Sequence, residues 1–324
     1  MILRRALIAL FLIYGGISML KGKALNTSST IGIISPASCE DKSIINEKIN
    51  TFRTLTGYKI KIAPHVYDKY GYLAGSDKCR AMDLNNMFAD KSIDGIVCLR
   101  GGYGSIRMMK YIDKKLIKKN PKFFCGFSDI TLLLNYFSKL GLITFHGPMI
   151  KSNFNDEETL NSFLDISSCC SKNYIYNLND MNQISYINKK SFEGKICGGN
   201  LVMMCSSLGT PFEVDTKNSI LLIEEINEAP YAIDRMLTQL IYAKKLKSCH
   251  GIILGNFTDC ALNDYSKSFN IEEIINDRLK PLNIPIIVNM PIGHSYPNIT
   301  LPIGCKAKFS CQNNSLTILD NFLS

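Results

Sequence analysis

Five short apolar runs, at residues 31–34, 58–62, 95–99, 123–125 and 142–145, alternate through the first half of the chain with segments whose apolar residues recur at helical spacing. Apolar runs of this length, bounded by turn formers, read as buried strands. Strands alternating with helices build a parallel sheet, because each parallel connection needs a crossover and the crossover helices cover the faces. Past residue 195 the pattern is more mixed. Residues 200–208 and 230–243 read as helices, the second with Ile233, Met236, Leu237, Leu240 and Ile241 on one face and Pro230 in its first turn. Strand-like runs surround them at 220–223, 251–254, 285–288, 306–309 and 315–319. The stretch 151–195 is the one long polar, aperiodic segment.

A chain of 324 residues exceeds what one core usually organises, and a hydrophobic content of 46% is enough to fill two. The predicted fold is α/β. Residues 25–165 form an N-terminal parallel-sheet domain of Rossmann/flavodoxin-like type, 166–195 a linker, and 196–324 a mixed α/β C-terminal domain. Sites in such sheets lie beyond the carboxyl ends of the strands.

Residues 1–24 stand apart. Arg4 and Arg5 precede an almost unbroken apolar run, and Gly22-Lys23-Ala24 offers the small residues that a signal peptidase prefers. This predicts a signal peptide, Leu25 as the mature N-terminus and a periplasmic protein. An uncleaved anchor, the only route to a membrane, and a cytoplasmic protein with an apolar first helix are the alternatives. The formal charge is +9 overall and +5 without the leader, which carries four basic residues and no acid. Lys114-Lys115, Lys118-Lys119 and Lys244-Lys245 read as solvated helix ends, so no nucleic-acid partner is expected. Twelve cysteines permit disulfides in an exported protein. Cys98, Cys125, Cys197, Cys249 and Cys260 nevertheless sit in or beside apolar runs, where a thiol is a small hydrophobe, and no C-x-x-C pair exists. No metal and no cofactor are expected: neither G-x-G-x-x-G nor the P-loop pattern is present.

Two strand ends carry candidate chemistry. The run at 95–99 enters Arg100-Gly101-Gly102-Tyr103-Gly104-Ser105, a loop whose main-chain N–H groups could approach a carboxylate or an oxyanion closely. The run at 123–125 stops at Gly126-Phe127-Ser128-Asp129 and continues as a helix. A serine at such a corner is exposed and faces the free N–H groups of the helix start. The plainer alternative makes Ser128 or Asp129 an N-cap. A serine nucleophile needs a base. His294, on a loop bracketed by Gly293 and Pro297, is one candidate and His146 the rival. Glu224, Glu225 and Glu228 follow an apolar run and offer the orienting carboxylate.

Motifs at eight places, in order over residues 30–310, resemble the LD-carboxypeptidases of serine peptidase family S66. They are Gly32-Ile33-Ile34-Ser35-Pro36-Ala37-Ser38; Ala74-Gly75-Ser76-Asp77 with Arg80-Ala81 and Asp83-Leu84; Arg100 to Gly104; Gly126 to Asp129; Gly198-Gly199-Asn200-Leu201; Leu208-Gly209-Thr210-Pro211; Glu224 to Tyr231 with Asp234 to Leu237; and Gly293-His294. The resemblance implies a triad of Ser128 as nucleophile, His294 as base and Glu224 as orienting group, in the cleft between the domains. Backbone N–H groups of Asp129 and of the Gly101–Gly102 loop would face the oxyanion, and Arg100 or that loop would take a terminal carboxylate. It further implies cleavage of the L-diamino acid–D-alanine bond of murein tetrapeptides, a muropeptide substrate, and commonly a homodimer. A same-family hydrolase of peptide–nucleotide antibiotics is the alternative, against which the absence of Trp weighs. An exported peptide-binding protein without catalysis is the other.

Overall fold

The computed structural model describes residues 19–324; the first eighteen residues, most of the expected signal peptide, lie outside the described residues. Strands β1 (Thr30–Ile34), β2 (Lys59–Ile62), β3 (Gly95–Cys98), β4 (Phe123–Gly126) and β5 (Thr144–His146) fall where the apolar runs place them, within two residues at each end. All four pairings among them are parallel, in the order 2-1-3-4-5, the flavodoxin-like arrangement. The strands are short because their buried cores are short: every residue of β3, β4 and β5 is buried.

The second half carries β6 (Tyr174–Asn177), β7 (Ser185–Ile187), β8 (Phe192–Asn200), β9 (Ser219–Ile226), β10 (Gly251–Thr258), β11 (Ile286–Val288), β12 (Leu301–Ile303), β13 (Lys306–Ser310) and β14 (Ser315–Ile318). Eight strands form one sheet in the order 6-14-13-8-9-10-11-7, parallel through β8–β11 and antiparallel at both flanks. β12 instead crosses back and closes the first sheet, antiparallel to β5. Pro302 fits there because an edge strand has one row of N–H groups without a ladder partner.

Residues 166–195 are not a featureless linker. The helix Glu157–Ser168 is capped by Asp156, whose side chain accepts from the Thr159 N–H, and it drives Phe163 against Phe52 and Phe123 of the first domain. β6 and β7 then occupy the two edges of the second sheet, where one exposed face leaves the sequence polar and the apolar period faint.

Residues 19–24, the end of the segment predicted to be a signal peptide, are also knit into the body. Leu20 forms a parallel bridge with Leu142, and Gly22 packs so closely on Phe123 that a Cβ would sit 2.1 Å from its backbone nitrogen. Its carbonyl accepts from the Ser324 N–H. Cleavage after Ala24 would remove these contacts. Among the described residues no helix is long and apolar enough to cross a membrane. All twelve thiols are free, and burial pushes those of Cys98, Cys125 and Cys197 up.

The two sheets are joined where the helix Thr131–Lys139 meets β8. The buried Asn135 amide accepts from the Gly198 N–H and donates to the Gly198 carbonyl, and Thr131 Oγ1 accepts from the Asn200 N–H. Gly198 and Gly199 have φ of 99° and 138°. A Cβ on Gly199 would lie 2.7 Å from Thr131 Oγ1, so the close approach explains the paired glycines.

Candidate active site

Ser128 lies two residues past the end of β4 and has φ of 61°, a left-handed conformation that costs a non-glycine residue free energy and persists only where the surroundings impose it. Its hydroxyl caps nothing. The N-cap alternative is thereby set aside for Ser128. Asp129 points inward, its carboxylate accepting from the Ser105 N–H at 2.8 Å while Ser105 Oγ donates to the Asp129 carbonyl at 2.7 Å. Burial pushes the Asp129 carboxyl up to about 6 against those hydrogen bonds. Its side chain therefore braces the corner, and only its backbone N–H faces the serine's side.

The glycine loop stands opposite. A Cβ on Gly101 would lie 2.8 Å from Ser128 Cβ, 2.9 Å from its Oγ and 3.3 Å from the Asp129 nitrogen, so only glycine lets the loop come this near the hydroxyl. Gly102, at φ 112°, abuts Ser38, whose Oγ accepts from the Tyr103 N–H at 3.0 Å. The guanidinium of Arg80, 1% exposed, donates to the carbonyls of Pro36 and Gly104 and so pins the two loops that leave β1 and β3. Burial lowers its pKa, with Asp77 and Asp129 opposing.

Across the cleft β9 delivers Glu224, wholly buried, whose Oε2 accepts from His294 Nδ1 at 2.8 Å. Glycines make the room: a Cβ on Gly293 would stand 2.8 Å from Glu224 Oε2, and one on Gly255 would stand 3.1 Å from Glu224 Cβ. Burial opposes ionisation of Glu224, but the imidazoles of His146 and His294 outweigh it and hold the carboxyl well below the usual range. Glu225 faces the other way along the strand. It accepts from Asn200 Nδ2, from the Val202 N–H and from the Ile226 N–H, so it braces the start of the helix Leu201–Ser206. His146 is wholly buried behind Glu224 and reaches no surface. That excludes it as the base.

Ser128 and His294 line one pocket of about 210 Å³ together with Arg100, Gly101, Gly102, Phe127, Lys151 and Tyr296. No hydrogen bond joins the serine and the imidazole in this structure, a common looseness in ligand-free sites. The Phe127 ring packs 4.7 Å from that of His294, centroid to centroid. Arg100 and Lys151 both donate to Glu40, so two cations share one carboxylate at the rim and leave a net positive charge. Lys151, Glu40 and Tyr296 carry no motif and were not singled out in the sequence. Tyr296, whose hydroxyl accepts from the Asn153 N–H, follows the Gly-His pair by two residues, and that proximity was the only available cue.

Two family models match the chain in order, the LD-carboxypeptidase N-terminal domain over residues 31–147 and the LD-carboxypeptidase C-terminal domain over residues 193–309. A probable murein peptide carboxypeptidase of Bacillus subtilis is 36% identical over 303 residues, covering 92% of this chain and 94% of that protein. Among solved structures, the microcin C7 self-immunity protein MccF superposes with a TM-score of 0.85 at 26% identity, over 94% of this chain and all of the other. The muramoyltetrapeptide carboxypeptidase from Oxalobacter formigenes gives 0.79 at 28% identity, over 91% of this chain and all of the other. With both halves matched in sequence and in fold, the chain belongs to the LD-carboxypeptidase family, serine peptidase family S66.

Proposed function

We propose that this enzyme is a serine-type carboxypeptidase that removes the terminal D-alanine from the L-centre of the diamino acid in murein tetrapeptides. The observation that carries it is the His294–Glu224 hydrogen bond facing a strained, uncapped Ser128 across a pocket with a basic rim. His294 Nε2 takes the Ser128 proton, and Oγ adds to the carbonyl carbon. The oxyanion meets the backbone N–H of Asp129 and the Gly101–Gly102 turn, each donor worth roughly 3 kcal/mol of barrier. Collapse expels the D-alanine amine, which receives the proton from His294. Water then attacks the acyl-serine, with His294 as base again, and Ser128 is regenerated. Glu224 holds Nδ1–H throughout, so the proton moves only at Nε2. The substrate's terminal carboxylate sits against Lys151 and Arg100, where Glu40 leaves charge unneutralised.

Incubation with murein tetrapeptide, followed by mass spectrometry, should show loss of one alanine, with tripeptide untouched. A tetrapeptide left intact while a peptide–nucleotide conjugate is cleaved would transfer the assignment to the immunity-type reading, which the fit to MccF favours and the absence of any Trp opposes. Export by the N-terminal segment and homodimerisation belong to the same reading. Cell fractionation with N-terminal sequencing tests the first, and sedimentation of the purified protein the second.

A further inference from the structure

His146 ends β5 in the floor of the site, 0% exposed, and neither of its ring nitrogens has a hydrogen-bond partner. Two bare nitrogens in a dry interior are costly, and natural folds rarely leave such groups idle. Glu224 Oε1 stands 3.9 Å from Nε2, and that oxygen is unpartnered as well. At this distance the contact is electrostatic, and closing it to a hydrogen bond takes about 1 Å of movement. Phe127 packs against both imidazoles, its ring centroid 5.8 Å from that of His146 and 4.7 Å from that of His294. On the far side a Cβ at Gly199 would touch His146 Cδ2 at 3.3 Å.

Glu224 therefore has one oxygen committed to His294 and one that is unpartnered and faces His146. We propose that His146 is a positioning residue: with its proton on Nε2 it donates to Glu224 Oε1, keeping that carboxylate ionised and its second oxygen aimed at His294 Nδ1. The arrangement is a histidine–glutamate–histidine relay in which only His294 meets the substrate. The ionisable groups in this cluster are Glu224 and the neighbouring Glu225 on β9, His146 on β5 and His294 on its loop; Thr131 and Thr300, which also pack here, are neutral.

The direction of the effect follows. A donor on Oε1 draws charge away from Oε2. Without it the carboxylate's charge concentrates on His294, the imidazolium is held more firmly, and the base is protonated up to a higher pH. The proposal rests on the triad reading above, so the test includes a measurement that needs no substrate. The His294 Cε1 proton is titrated by NMR in the wild type, His146→Phe, His146→Gln and His146→Asn, alongside kcat and KM for tetrapeptide cleavage across pH.

Gln can place an N–H near the position of Nε2, whereas Asn stops short of it. His146→Phe and His146→Asn should raise the His294 titration midpoint by about half a pH unit or more, a shift worth roughly 0.7 kcal/mol. They should lower kcat roughly 10-fold to 100-fold with little change in KM, the usual cost of losing a supporting partner. Gln should restore both. If Phe fails to fold, the Gln–Asn pair, both polar, decides alone. Unchanged midpoints and turnover in Phe and Asn would overturn the relay. An inactive wild type with shifted midpoints would instead sink the substrate assignment and leave the relay standing.

Discussion

Around Ser128 the chain relies on backbone conformation: a left-handed serine, glycines at φ 112° and 132° in the facing loop, and a turn that approaches the hydroxyl as closely as a missing Cβ allows. Around His294 it relies on buried side chains, with one carboxylate set between two imidazoles and glycines clearing space for the charge. The difference decides how each half fails. Errors in the first half are steric and local; errors in the second are electrostatic and act over several ångströms in a dry interior.

The chemical groups themselves bound the largest effects. Ser128→Ala and His294→Ala should each reduce turnover on the order of 10⁴-fold or more, and the double variant should lose little beyond either single one, because the members act as a unit. Glu224→Gln should follow within about the same factor, since it leaves the pocket's shape but removes the charge that orients the imidazole. Glu225→Gln should keep its turnover and lose thermal stability, as it surrenders an acceptor to the Asn200 and Val202 donors. Steady-state kinetics with melting curves on the four single variants checks the contrast. Activity lost at Glu225 and kept at Glu224 would reverse the facing of β9.

Gly101→Ala probes the steric half. With Ser128 Oγ 2.9 Å from the new methyl, the loop must retreat, and a displacement near 1 Å costs roughly 100-fold in rate. The fold should hold, since the turn's anchors at Arg80 and Ser38 are untouched. A variant with wild-type kcat would show that the loop is not part of the oxyanion site. Lys151→Met is smaller still: it removes one cation from the rim, so KM should rise roughly tenfold, in keeping with a charged hydrogen bond of about 1.5–3 kcal/mol partly screened at the pocket mouth, while kcat stays near wild type.

How legible each half was in the sequence follows the same division. The corner at Ser128 and the loop at Gly101 could be read from strand ends because glycine is a strong local signal. The partners of Glu224 could not be read that way. His146 has the appearance of any histidine after an apolar run, and its place behind Glu224 depends on β5 and β9 lying on different sheets that the Asn135–Gly198 contact brings together. Lys151 and Glu40 were equally silent, being ordinary surface charges until the fold sets them around one rim. In the fold, β12 escaped notice because Pro302 argues against a strand unless that strand is an edge. The helix Glu157–Ser168 was missed because its buried positions include Thr159 and Ser167, which carry no apolar signal.

An effect on stability rather than on turnover separates bracing from chemistry at the residue next to Ser128. Asp129 is 1% exposed, and burial pushes its carboxyl up to about 6 from an unfolded value near 3.9. A carboxyl whose folded pKa is raised binds its proton more tightly when folded. Its contribution is therefore favourable at low pH and is lost as the pH climbs from about 4 to about 6, after which the fold carries an ionised buried group at a cost on the order of 3 kcal/mol. Asn at this position keeps an oxygen for the Ser105 N–H but does not titrate. Asp129→Asn should then gain stability relative to the wild type between pH 4 and pH 8, by about 1–3 kcal/mol in denaturant melts, whatever fixed cost the new amide brings at both ends. Parallel wild-type and variant curves across that window would mean that the Ser105 hydrogen bonds and the Arg80 charge already make ionisation free of cost, and that the corner holding Ser128 is braced by an ion rather than by a neutral acid.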